Sequence, residues 1–113
     1  MGSKEQMVTR NCMVLAMILG MVCSTQAALA QSAGADTFKA KCQMCHGVDG
    51  LGQTPAGRVA KIVSLKDPAV VNAKDADLME VVKKGKNKMP SFAGKLTDEQ
   101  IQAAIAYIRT LEK

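Results

Sequence analysis

The only histidine of this 113-residue chain stands directly behind two cysteines, in Cys42-Gln43-Met44-Cys45-His46. Thiols three residues apart on a helical turn project to one side, and the imidazole follows them. The motif has few chemical uses. A redox dithiol of the thioredoxin kind needs a βαβ setting, and no strand pattern precedes Cys42. A tetrahedral zinc site needs four ligands, and only Cys42, Cys45 and His46 are at hand without recruiting an acid. A plain disulfide leaves the histidine without a role.

The first thirty residues read as an address. Lys4 and Arg10 mark a charged start, Cys12 to Val22 is an uncharged apolar run, and Ala28-Leu29-Ala30 is a small-x-small cleavage site. This is the order of a cleavable secretory signal peptide, 1–30, cut after Ala30. The alternative is a retained membrane anchor: Cys12 to Ala30 carries no charge over nineteen residues, near the roughly 20 that a spanning helix needs. Ser24, Thr25 and Gln26 weaken that alternative. Lipidation at Cys23 is rejected because Val22 before it is too large. Cleavage leaves one domain, 31–113, with Cys42 and Cys45 its remaining cysteines and the net charge reduced from +5 to +4 by loss of Lys4, Arg10 and Glu5. Its aromatics are Phe38, Phe92 and Tyr107. So short a chain builds a marginal core from side chains alone, and small domains commonly add a metal, cofactor or disulfide.

Hydrophobic periodicity points to an all-α domain. Thr97 and Gln100 form a capping box, with Leu96 and Ile101 in the staple positions. Ile101, Ala104, Ile105 and Ile108 then make one apolar stripe, which predicts a helix from about Asp98 to Leu111. A second helix is expected across "DADLMEVVKKG", where Leu78, Val81 and Val82 share a face, Asp75 or Asp77 can cap the start and Gly85 suits a left-handed stop. Another is expected over Ala35 to Lys41, and Asp67-Pro68 opens a short turn. The stretch "HGVDGLGQTPAG" reads as an irregular loop. No segment alternates with a period of two. Loops this long in so small a domain need something to wrap around.

Cys-x-x-Cys-His is the attachment signature of c-type haem: the two thiols form thioethers with the vinyl groups, and the histidine becomes the proximal iron ligand. A bis-histidine site is impossible within one chain. Met44 sits in the attachment turn, and Met79 lies beside Leu78, Val81 and Val82, where methionine is ordinary core filler. Met89, 43 residues after His46 and followed by Pro90, is the expected distal ligand. The alternative is an apolar loop residue tucked under the last helix.

Over essentially the whole of 31–113 the chain resembles a small monohaem class I c-type cytochrome. The resemblance rests on Cys42-Gln43-Met44-Cys45-His46-Gly47, on Met89-Pro90-Ser91-Phe92 just before the last helix, and on Gly34, Phe38 and Cys42 spaced four apart. It implies three or more helices around one covalent haem, the first and last helices crossing with Gly34 and Phe38 packed near Tyr107. It further implies that the Pro55 carbonyl accepts the ligand histidine's other ring N–H. Arg58 is expected to pair with a haem propionate, the alternative being a solvated arginine.

Two filled axial positions leave no open site for catalysis, so the expected function is one-electron transfer, not enzymatic turnover. Lys83, Lys84, Lys86, Lys88 and Lys95 flank Met89 and are expected to steer a monomeric carrier onto acidic redox partners; their alternative is a solvated surface. Nucleic acid is not an expected partner, since the charge is modest and the chain exported, with a periplasmic or similar destination. The runner-up functions are a haem-based ligand sensor with a labile sixth ligand, or the electron-transfer subunit of a larger oxidoreductase.

Overall fold

The computed structural model describes residues 26–113. The charged start and apolar run of the expected leader, with Cys12 and Cys23, lie outside them. The chain divides into two compact units, Met1–Ala30 and Gln31–Lys113, and the architecture below is that of the second. Among the described residues no helix is long and apolar enough to cross a membrane.

The second unit is helical, as its periodicity predicts, with no strand among the described residues. Within this unit helix α1 already covers residues 31–41, starting before the expected Ala35, and the Cys42 N–H donates to the Phe38 carbonyl at 2.8 Å, which carries the ladder into the one-turn helix α2, Gln43–His46. Then come α3 (Pro55–Ala60), α4 (Pro68–Val71), α5 (Asp75–Lys84) and α6 (Asp98–Leu111).

The crossing of α1 with α6 needs a residue without a side chain. A Cβ on Gly34 would lie 2.1 Å from the Ala103 carbonyl oxygen, so the two backbones touch there. One turn on, the buried Phe38 meets Tyr107 with ring centroids 5.4 Å apart and planes tilted by 54°, the inclined geometry that aromatic pairs favour.

Helix α6 starts where its sequence says. Thr97 Oγ1 accepts from the Gln100 N–H at 3.2 Å, and Gln100 Oε1 accepts from the Thr97 N–H at 2.9 Å. Ile101, Ala104 and Ile105 of its stripe are buried. Pro68 occupies the first position of α4, and Asp67 accepts from the Ala69 N–H at 2.9 Å.

Two local expectations fail. Neither Asp75 nor Asp77 caps α5; Lys74 holds the cap position and no side chain bonds there. Asp75 turns instead to Arg109 of α6, whose Nε and Nη2 donate to its Oδ1 at 3.0 and 2.8 Å. A charged pair joined by two hydrogen bonds outcompetes a cap bond. Arg109 also donates to the carbonyls of Val70, Val71 and Ala73, so one side chain ties α6 to the α4–α5 connection. Second, the expected loop after His46 contains α3. Thr54 caps it, accepting from the Gly57 N–H at 2.9 Å, with Pro55 at its first position.

The fully buried apolar core of the described residues is small: Phe38, Leu65, Ile101, Ala104 and Ile105. Around it Leu78, Val81, Val82 and Ile108 are only half-buried, because they face a cavity rather than each other.

Candidate haem site

A cavity of about 460 Å³ lies inside the second unit, a size in the usual range for small-molecule and cofactor sites. Cys42 and His46 line it from the attachment turn, and Met89 lines it from the loop before α6. Its walls are otherwise mainly apolar, built from Ile62, Leu65, Val70, Leu78, Val82, Ile101 and Ile105. Such walls suit a large flat apolar group.

The attachment turn is held rigidly. A helix leaves its last carbonyls without internal partners, and here the following loop supplies them. The Thr54 hydroxyl donates to the Cys45 carbonyl at 2.8 Å, and the Gly52 N–H donates to the His46 carbonyl at 2.8 Å. Gly57 lets α3 come this close: a Cβ there would stand 2.3 Å from the Gly52 oxygen and 2.4 Å from the Cys45 oxygen. Leu65 closes the loop by donating its N–H to the Gly50 carbonyl at 2.8 Å.

The electrostatics separate the possible uses of the motif. Burial, reinforced by the neighbouring Cys45, pushes the Cys42 thiol up to about 11. A dithiol poised for exchange has its thiol pKa lowered, not raised. The two cysteines are not bonded to one another. Among the described residues no three His, Cys, Asp or Glu side chains gather as a metal cluster. Burial pulls the His46 pKa below its ordinary value, favouring the neutral imidazole that binds metals. Its Nδ1 is buried and has no hydrogen-bond partner. Buried polar atoms are almost always satisfied, so an unpartnered imidazole nitrogen beside an apolar cavity fits a ring that serves a cofactor.

Met89 sits at the end of a tight turn. The Lys86 N–H donates to the Met89 carbonyl at 3.1 Å and the Met89 N–H returns to the Lys86 carbonyl at 2.9 Å, with Asn87 in the left-handed region at φ 53°. The turn brings Lys86, Asn87, Lys88 and Met89 all onto the cavity wall.

The other expected residues are distributed unevenly. Cys45 is half-buried beside the cavity and does not line it. The bond expected from the His46 ring to the Pro55 carbonyl is not made. Pro55 opens α3, and a carbonyl in the first position of a helix points along its axis toward the N–H four residues on. Arg58 is exposed on α3 away from the cavity, while Lys61, which closes that helix at φ 53°, lines it. Lys83 pairs with Asp98 at 3.0 Å, Lys84 pairs with Glu80, and Lys95 is exposed. Sequence reasoning missed Lys61, Asp77 and Asn87 on the wall, and Thr54 and Gly57 behind the attachment turn. Only Thr54-Pro55, a cap residue before a first-position proline, carries a readable signal.

Comparison with known proteins agrees with this site. The family described as cytochrome C oxidase, cbb3-type, subunit III matches residues 29–108. A cytochrome c6 of Parathermosynechococcus lividus is 41% identical over 75 residues, covering 66% of this chain and 83% of that protein. A cytochrome c6 of Thermosynechococcus vestitus is 35% identical over 107 residues, covering 93% and 90%. Among solved structures, the KustC0563 c-type cytochrome superposes with a TM-score of 0.65 at 28% identity, covering 71% of this chain and 98% of its own. Its fold and its Cys42-x-x-Cys45-His46 motif thus carry a covalently attached haem c, and the chain belongs to the small monohaem class I c-type cytochromes.

Proposed function

We propose that this cytochrome is a single-electron carrier in which Cys42 and Cys45 hold the haem and His46 and Met89 bind its iron from either side. The observation that carries the reading is the cavity itself, where residues 43 positions apart in sequence, His46 and Met89, come to one apolar space. The haem supplies the Fe(III)/Fe(II) couple, and Met/His ligation sets that couple toward higher potential. The protein's own part is to hold both side chains in place and to keep water off the apolar walls. The attachment turn does the first through Thr54 and Gly57. No residue is asked to move a proton or to act as nucleophile, and the reading is of a carrier rather than an enzyme.

The reduced visible spectrum with and without carbon monoxide tests it. A low-spin spectrum indifferent to carbon monoxide is expected for the purified holoprotein, and Met89→Ala is expected to bind the gas. A native protein that binds carbon monoxide readily would favour the sensor reading instead.

Export and docking belong to the same proposal. The compact unit Gln31–Lys113 begins at the residue after the proposed cut at Ala30, and the N-terminal mass of the exported protein checks that cut. Of the five lysines flanking Met89, Lys83 and Lys84 are engaged in ion pairs, and Lys86, Lys88 and Lys95 are those proposed to meet an acidic redox partner. Lys86→Glu with Lys88→Glu is expected to slow electron transfer to such a partner about tenfold at low salt, with the difference shrinking as ionic strength rises. A flat salt response would remove the docking role. The cytochrome c6 relatives, of which the chain covers 83% and 90%, support the carrier reading, and a monomer is part of the same proposal, checked by the mass of the purified holoprotein in solution.

A further inference from the structure

The carbonyls at the end of α5 are where the Met89 segment is fastened. A helix ends with acceptors that have no partner inside it, and in α5 these are taken up in order by the chain that follows. The Gly85 N–H donates to the Val81 carbonyl at 2.8 Å, the Phe92 N–H to the Val82 carbonyl at 3.0 Å, and the Ala93 N–H to the Lys83 carbonyl at 3.2 Å. The Lys83 carbonyl also accepts a short bond from the Ser91 hydroxyl, and Ser91 Oγ in turn accepts from the Ala93 N–H at 3.3 Å. Ser91 thus contributes the side-chain bonds of a clamp otherwise made of backbone. Its position is two residues beyond Met89, on the far side of Pro90.

Proline gives this arrangement its reach. It fixes its own φ and restricts the residue before it to extended conformations, so Met89, Pro90 and Ser91 behave as a stiff unit. Fastening Ser91 therefore restricts Met89. On the other side, Gly85 lets the segment fold back on the helix end, since a Cβ there would lie 2.7 Å from the Met89 oxygen and 2.9 Å from the Ser91 nitrogen.

We propose that Ser91 is a positioning residue whose hydroxyl, bonded to the Lys83 carbonyl, keeps the Met89 thioether at the iron and so keeps other ligands out. The inference rests on Met89 being the distal ligand. When an entering ligand must displace that thioether, its apparent affinity is reduced by the fraction of molecules in which the segment is open. Loosening the clamp raises that fraction without touching the iron or either axial residue.

The test is an imidazole titration of the ferric holoprotein, followed by its visible spectrum at fixed pH, for the native chain, Ser91→Ala, Ser91→Thr and Met89→Ala. Loss of one hydrogen bond is expected to tighten imidazole binding about 5- to 10-fold in Ser91→Ala. Ser91→Thr, which keeps a hydroxyl, is expected within about twofold of the native protein, and Met89→Ala to bind imidazole most tightly of the four. Ser91 is exposed, so its variants are expected to fold, and a thermal melt of each confirms it. If Ser91→Ala binds like the native chain while Met89→Ala binds far more tightly, the clamp is wrong and the ligand assignment stands. A lowered melting temperature in Ser91→Ala without a change in imidazole affinity overturns the positioning role in the same way. If Met89→Ala itself matches the native chain, the distal ligand lies elsewhere and the proposal falls with it.

Discussion

The two ends of the haem site are built differently. The histidine end is a continuous packed unit: α1 runs into α2, and the returning loop and α3 satisfy the carbonyls of Cys45 and His46 through Thr54 and Gly52. Gly57 brings α3 against it backbone to backbone. The methionine end is a short exposed turn leaning on the terminus of α5, fastened by the 85–93 backbone and by Ser91. Regions held mainly by exposed hydrogen bonds open locally at lower cost than packed ones. His46 is therefore expected to sit in a part of the chain that opens only with the whole domain, and Met89, the proposed distal ligand, in a part that opens alone.

The largest effect tests what the histidine end contributes to folding. Cys42→Ala with Cys45→Ala is expected to abolish covalent haem and leave most of the domain unfolded, because the buried apolar core of the described residues is five side chains and small domains depend on such additions. Far-ultraviolet circular dichroism of the exported variant checks this; a folded, soluble, haem-free product would contradict it.

Glycine replacements then set the two ends against each other. Gly57→Ala places a Cβ 2.3 and 2.4 Å from backbone oxygens that cannot swing away, so a cost of about 3 kcal/mol is expected in urea denaturation. Gly85→Ala meets the Met89 oxygen at 2.7 Å and must also hold φ 77° with ψ 165°, a region that only glycine adopts easily. Its expected cost is about 2 kcal/mol. The comparison lies in ligand access, where Gly85→Ala is expected to admit imidazole at least about tenfold more readily and Gly57→Ala to leave access within about twofold. Equal changes in both would mean the two ends open together.

An effect no larger than that of Gly85→Ala concerns the wall between them. Arg109 holds the α4–α5 connection through Asp75 and three carbonyls. Arg109→Met is expected to cost about 2 kcal/mol by chemical denaturation. Arg109→Lys is expected to recover less than half of it, since an ammonium cannot reproduce the guanidinium fork. Full recovery by lysine would show that charge alone matters there.

What could be read in the sequence followed from locality. The attachment motif, the Thr97–Gln100 box, the α6 stripe and Asp67-Pro68 are each fixed by residues within a few positions of one another, and helical geometry turns those spacings into contacts without help from the rest of the chain. Met89 was legible as a candidate because the chain has one histidine and few methionines, and because Pro90 stiffens its neighbour. The tertiary structure alone decided the remainder. Asp75 satisfies all local rules for a cap, yet Arg109, 34 residues on, takes its carboxylate. Pro55 has a free carbonyl on paper, but α3 forms and points it down a helix axis. Arg58 and Lys61 are equally plausible cations in the sequence, and only the left-handed turn that ends α3 puts the second at the cavity and leaves the first in solvent. Sequence determines which residues can do the chemistry where the required partners are near in the chain. It leaves open which of several equivalent groups arrives, because that is settled by competition among partners that only folding brings together.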